Sequence, residues 1–253
     1  MNGGIDVTQH LRSAVTISRN ASTSLCSDEL DEIRTQLDKN GYSYIRGISP
    51  GDFDYPSFAA RLGNPIPHHN GELIWDVRLD PTIESIYHAG NMGALLPHTE
   101  AVEHPGPPPR YIMLWCVREA RGRGGETTLA DGYAWMKSLS EETRRSLHSN
   151  RYTWKSSDGI IQSGYYSSAV HPILEEFDGR HILRYDYIDV EREDDGLLDA
   201  ALEDVKEFFG EQQVAVKIEP GCILVWDNWR MLHGRNAFSD PERHLKRMLL
   251  SGR

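Results

Sequence analysis

Apolar residues recur along this chain at two spacings. From Asp195 to Phe209 they fall three or four apart, with Leu198, Leu202, Val205 and Phe209 on one face, which predicts an amphipathic helix. The same spacing puts Leu30, Ile33 and Leu37 on one stripe of a helix that Ser27-Asp28 can cap. That helix runs through about Lys39, and Gly41 stops it. Shorter helices are predicted over Tyr55 to Leu62 and, capped by Ser140, through about Ser149. Elsewhere the period is two or the run is unbroken. Tyr42 to Gly47 and Val214 to Glu219 alternate as half-buried strands do. Tyr111 to Val117 and Cys222 to Trp226 are continuous apolar runs of buried-strand length. Thr127 to Ala130, Arg151 to Lys155 and His181 to Ile188 also read as strands, and Ile86-Tyr87-His88 leads toward His98.

Many short strands with a few flanking helices predict a mainly β fold, a double-stranded β-helix (jelly roll) with an open mouth. The 253 residues suit one domain, 1–253, with a full core. Between the elements lie three informative loops. Glu103 to Arg110 holds four prolines, so it cannot be regular structure and reads as a lid or rim. Ser156 to Val170 is polar, carries Tyr165-Tyr166 and is expected to cover a site. Pro65 to Asn70 contains His68-His69, and its prolines favour a rim loop over a metal site. Gly122 to Gly125 is a glycine-rich turn without the Lys-Ser/Thr ending of a phosphate loop.

Charge and cysteine content narrow the function classes. A formal net charge of −11 argues against a nucleic-acid partner, which needs a basic face. No apolar run reaches the 18 residues of a membrane span, and Met1 to Val7 lacks the basic and apolar segments of a secretory signal. Three cysteines are an odd number for a disulfide framework; Cys116 and Cys222 read as small core residues, and Cys26 lies near a helix start. A reducing cytoplasm and a small-molecule substrate are the expectation; the oligomeric state stays open.

The chemistry concentrates in two places. His98-Thr99-Glu100 is the sole His-x-acid triplet, and two positions apart on a strand its His and Glu share a face. Far downstream, Asp227-Asn228 reads as a turn that leads to His233-Gly234-Arg235. Two imidazoles and one carboxylate can hold one face of an octahedral metal and leave three positions open, as non-haem Fe(II) requires for a co-substrate and dioxygen. Arg243 and Arg247 follow; on an extended segment they share a face, and an Arg offers a bidentate fork to a carboxylate.

With these residues in order, the chain resembles the taurine-dioxygenase and clavaminate-synthase superfamily of Fe(II)/2-oxoglutarate oxygenases, most of all its carbapenem-synthase-like branch. The likeness runs from about Gly41 to the C-terminus and includes Gly124-Gly125-Glu126-Thr127. It implies that His98, Glu100 and His233 bind the catalytic iron. It also implies that Arg243 and Thr127 hold the distal carboxylate of 2-oxoglutarate, and that Arg247 lies near the substrate. Such relatives often place an Asn shortly before the first His; here Gly93 to Pro97 stand there and Asn91 lies further back, so substrate contacts do not transfer. Halogenation is disfavoured because Glu100 fills the position that chloride would take.

The residues themselves say less about substrate. Arg184 and Asp186 alternate, so on a strand they share a face that could read a zwitterion or a carboxylate, as could Arg247; Tyr165 could wall the pocket. The expectation is a small polar carboxylate or amino-acid-derived metabolite, free or carrier-bound, in specialised or antibiotic biosynthesis. Two other classes stay open: a cupin-like metal enzyme that needs neither Arg243 nor Thr127, and a non-catalytic binding module.

Overall fold

The computed structural model describes residues 15–16, 27–49, 53–80, 90–192 and 196–252. Along the chain come β1 (Val15–Thr16), α1 (Ser27–Asn40), β2 (Tyr42–Arg46), α2 (Tyr55–Leu62), β3 (Asn64–Ile66), β4 (Trp75–Arg78), β5 (Leu95–His98), β6 (Tyr111–Arg118) and β7 (Thr127–Asp131). Then follow α3 (Gly132–Ser138), α4 (Glu141–Ser149), β8 (Tyr152–Lys155), α5 (Asp158–Gln162), β9 (Ser168–His171), β10 (Leu174–Phe177) and β11 (Arg180–Leu183). The last elements are α6 (Gly196–Gln212), β12 (Val214–Val216), β13 (Ile223–Asp227), β14 (Met231–Arg235) and β15 (His244–Ser251).

The strands form two main sheets. The larger runs β1-β2-β13-β6-β15-β3, with β4 also paired to β15, and the smaller runs β12-β7-β14-β5. The unbroken apolar runs of β6 and β13 follow from burial on both faces. On β13, Ile223 and Val225 pack outward against Leu37 of α1 and Phe58 of α2, while Leu224 and Trp226 pack inward. There they meet Leu129 of β7, Val216 of β12 and Met231 of β14, so the two sheets share one core. The outer face of the smaller sheet presents Ala130 and Leu232 to Trp135, Leu147, Leu202 and Phe209 of the helices. Each such fully buried aliphatic side chain contributes about 1.5–3 kcal/mol, and Leu129→Ala would remove about 2–5 kcal/mol.

Helix starts follow their caps. Asp54 accepts the Ser57 N–H at 3.0 Å to open α2, and Ser140 Oγ accepts the Thr143 N–H at 3.0 Å to open α4. Three sequence expectations need correcting. β11 ends at Leu183 rather than Ile188, because the chain leaves the hairpin there. The polar stretch 156–170 is not all loop: it holds α5 and the start of β9. β5 stops at His98, and Glu100 stands in the turn beyond it, where Ala101 takes a φ of 59°. Ile86-Tyr87-His88, Cys26 and Met1 to Val7 lie outside the described residues. No helix among the described residues is long and apolar enough to cross a membrane.

Candidate metal centre and its cavity

β5 and β14 pair antiparallel with His98 directly opposite His233, and the two ring centroids stand 4.1 Å apart. That pairing demands Gly234: a Cβ there would lie 2.6 Å from the Leu95 carbonyl oxygen. The turn after β5 swings Glu100 back beneath the rings. His98, Glu100 and His233 each offer one ligand atom within 4.8 Å of the others, the sole such group of His, Cys, Asp or Glu among the described residues.

The side chains are set for metal. His98 Nδ1 lies 3.0 Å from the Leu96 carbonyl, which can only accept, so this hydrogen bond fixes the proton on Nδ1 and leaves the Nε2 lone pair free. Burial and the neighbouring His98 drive His233 down to about 3, against the pull of Glu100, so it is a neutral imidazole at ordinary pH. Burial pushes the Glu100 carboxyl up, but Arg247, His233 and His98 outweigh it and hold it well below the usual carboxylate range. Arg247 Nη1 donates to Glu100 Oε2 at 2.9 Å. Two imidazoles beside one anionic carboxylate fit a divalent iron better than a softer thiolate-seeking ion.

Arg243 stands just before β15, against Gly125 and Phe238. It is 3% exposed, its Nε donates to the Gly125 carbonyl at 3.2 Å, and its guanidinium sits 5.0 Å from the Phe238 ring centroid. Gly125, at φ 77°, leaves room for it, since a Cβ there would come within 3.2 Å of Arg243 Nε. Arg243 Nη1 is buried with no hydrogen-bond partner. Thr127 is buried two residues beyond Gly125, opposite Arg235 in the β7–β14 ladder. Arg235 is a second buried guanidinium, tied to Gly93 O and Asn91 Oδ1 at 2.8 Å each. Burial, then Arg243, lowers Arg235 to about 10. Arg243, a buried cation with an unpartnered Nη1, suits a carboxylate ligand.

A cavity of about 610 Å³ opens from His98, Glu100 and Arg247. Glu103, Asp186, Asp189 and Tyr165 line it, with His68 and His69 at its edge. Asp186 Oδ1 accepts the N–H groups of Ile188 at 2.7 Å and Asp189 at 3.0 Å.

Arg184 departs from expectation. It does not line the cavity and does not share a face with Asp186, because β11 has already ended. It is fully buried, with Nε on Glu175 at 3.0 Å, Nη1 on the carbonyls of Val102 at 2.8 Å and His104 at 3.2 Å, and Nη2 on that of Gly106 at 2.6 Å. This cage fixes the proline-rich segment as a wall rather than a lid. Arg243 and Arg247 are likewise separated by a register shift at His244/Leu245, which aims one at Gly125 and the other at Glu100. Sequence reasoning missed Asn228, Glu103, Asp189 and Arg235. Asn228 was visible only as a turn residue, and Glu103 only as part of an irregular segment.

The model of the family described as "Taurine catabolism dioxygenase TauD, TfdA family" matches residues 6–249. The chain belongs to that family. Human γ-butyrobetaine dioxygenase is 25% identical over 229 residues, 83% of this chain and 57% of that enzyme. The chain therefore spans little more than half the length of that relative. Pentalenolactone F synthase of Streptomyces arenae is 30% identical over 170 residues, 55% of this chain and 56% of the synthase. Among solved structures, an asparagine oxygenase in complex with Fe(II), 3-hydroxyasparagine and succinate superposes with a TM-score of 0.73 at 23% identity, covering 88% of this chain and 78% of that one. The non-heme iron oxygenase OrfP with Fe and α-ketoglutaric acid gives 0.70 at 20% identity, covering 90% and 81%. These likenesses show a shared fold.

Proposed function

We propose that this chain is an Fe(II)- and 2-oxoglutarate-dependent oxygenase, one domain in which the two sheets close as a double-stranded β-helix. The observation that carries it is the His98, Glu100 and His233 group, whose ligand atoms lie within 4.8 Å of one another and whose His98 and Glu100 line a cavity. Family membership supports the same reading. Bound together, Fe(II), 2-oxoglutarate and dioxygen supply the oxidising power to attack a C–H bond, with 2-oxoglutarate leaving as succinate and carbon dioxide.

The protein's share is binding, orientation and exclusion of water. His98, Glu100 and His233 would hold the metal. Arg243, with its buried unpartnered Nη1, would receive the distal carboxylate of 2-oxoglutarate, with Thr127 beside it. Arg247 orients Glu100 and, with Asp186 and Tyr165, faces the space left for substrate. The substrate class is a small amino-acid-derived metabolite. The relatives named for γ-butyrobetaine, trimethyllysine and asparagine support this, and pentalenolactone F synthase supports a setting in specialised metabolism.

Anaerobic addition of Fe(II) and then 2-oxoglutarate tests the reading. Wild-type protein should develop a weak visible charge-transfer band, and Arg243→Ala should need at least about tenfold more 2-oxoglutarate to reach it. Tight iron binding with no band would overturn the 2-oxoglutarate assignment, and no iron binding would overturn the oxygenase.

A further inference from the structure

The cavity holds more carboxylates than the metal group uses, and Asp186 stands across a backbone bridge from His98. Besides Glu100, three carboxylates line the space, Glu103, Asp186 and Asp189, and none pairs with a basic side chain within 4.0 Å among the described residues. The nearby cations are committed elsewhere. Arg247 is on Glu100 at 2.9 Å, and Arg184 is on Glu175 and three carbonyls. Lys155 is the remaining positive group felt by Asp189. A folded protein does not gain from lining a sheltered wall with uncompensated like charges, so their presence points to what the wall receives.

We infer that the substrate carries a cationic nitrogen group, an amine, guanidine or amidine, and that Glu103 and Asp189, with Asp186 beside them, seat it. This rests on the oxygenase reading above and narrows its substrate. A metal ion is the competing occupant of three carboxylates, but among the described residues only His98, Glu100 and His233 gather as a metal-holding group. Three carboxylates outside such a group suit an organic cation, which offers several N–H donors a few ångströms apart. Tyr165 also lines the cavity, its ring 5.9 Å from that of His69, and adds an aromatic face of the kind cations favour.

The electrostatics agree. Burial, then Glu100 and Asp186, raise the Glu103 carboxyl to about 7, against a hydrogen bond from its own backbone N–H and the charge of Arg184. Burial, then Asp186, Glu103 and Asp158, raise Asp189 to about 8, against Lys155. Near neutral pH Asp189 keeps most of its proton and Glu103 part of its own, so the wall carries less charge than its carboxylates could until a counter-charge arrives. A cationic ligand replaces those protons, so its binding releases them.

Calorimetric titration with matched pairs tests the inference: L-arginine against L-citrulline, and L-lysine against L-norleucine, each on wild type, Glu103→Gln and Asp189→Asn with 2-oxoglutarate bound. At least one cationic member should bind wild type about tenfold or more tighter than its neutral match. Its heat should differ between phosphate and Tris buffers at pH 7.5 in the sense of proton release. Both variants should lose most of that preference while keeping the Fe(II)–2-oxoglutarate band. Equal or tighter binding of the neutral members, an unchanged preference in the variants, or no binding by either cation with the band intact would overturn the cationic seat and leave the oxygenase standing. Loss of the band in wild type would instead sink the oxygenase.

Discussion

Asn228 grips Glu100 from both ends of its backbone. Asn228 Oδ1 accepts the Glu100 N–H at 2.7 Å, and Asn228 Nδ2 donates to the Glu100 carbonyl at 3.1 Å and to that of Pro109 at 2.9 Å. Glu100 stands in a turn beyond β5, so no ladder holds it, and Asn228 supplies the missing register. Asn228 is fully buried, so Asn228→Ala leaves three backbone groups unpaired. The expected loss is about 10–100-fold in iron affinity, read by metal competition. Unchanged affinity would mean that Glu100 is held by Arg247 alone.

Gly234→Ala should damage the same centre from the other side. Its Cβ would sit 2.6 Å from Leu95 O and 3.0 Å from Thr128 Oγ1, and backbone cannot yield as a side-chain tip can. Separating β14 from β5 pulls His233 off His98. A destabilisation of about 1–3 kcal/mol is expected, together with loss of stoichiometric iron. Denaturant unfolding and metal analysis read the two effects separately.

Arg184→Met distinguishes a structural arginine from a substrate contact. It strands Glu175 and the carbonyls of Val102, His104 and Gly106. A loss of about 3–5 kcal/mol is expected, seen as a fall in the denaturant midpoint. A stable variant with only a raised substrate KM would restore Arg184 to the pocket.

Stability of the ligand-free protein should depend on pH through the acidic wall. The folded-state pKa of Glu103 is raised from 4.5 to about 7, and that of Asp189 from 3.8 to about 8. Folding therefore favours the protonated forms. Their contribution is full below the ordinary carboxylate pKa and is lost as pH climbs through 7 and 8. Glu103→Gln stays neutral throughout, so relative to wild type it should gain Tm between pH 5 and pH 8.5, by about 2–4 °C for each kcal/mol relieved. A constant difference across that range would show that Glu103 titrates normally.

Much of this was readable from residue order. The periods at Leu30, Ile33 and Leu37 and at Leu198, Leu202, Val205 and Phe209 found their helices because one side of each packs on a sheet. His98, Glu100 and His233 were legible because their residue types and order carry the chemistry. Arg184 was misread because alternation is meaningful only inside a ladder, and nothing local announces that β11 stops at Leu183. Glu103, Asp189 and Asn228 were illegible for a related reason. Each sits in irregular backbone whose direction is set by distant partners such as Ser167, whose Oγ donates to the Glu103 carbonyl at 3.2 Å.

The direct opposition of His98 and His233 also bears on how the molecule is made and unmade. Every strand from β6 to β13 lies between them in the chain, so their pairing closes one of the largest loops in the fold. The site cannot exist on a nascent chain until β14 has emerged, and contacts of such long range form late. Iron should thus act as a clasp fastened after folding: it lengthens the lifetime of the finished protein, slowing unfolding, while leaving the refolding rate nearly unchanged.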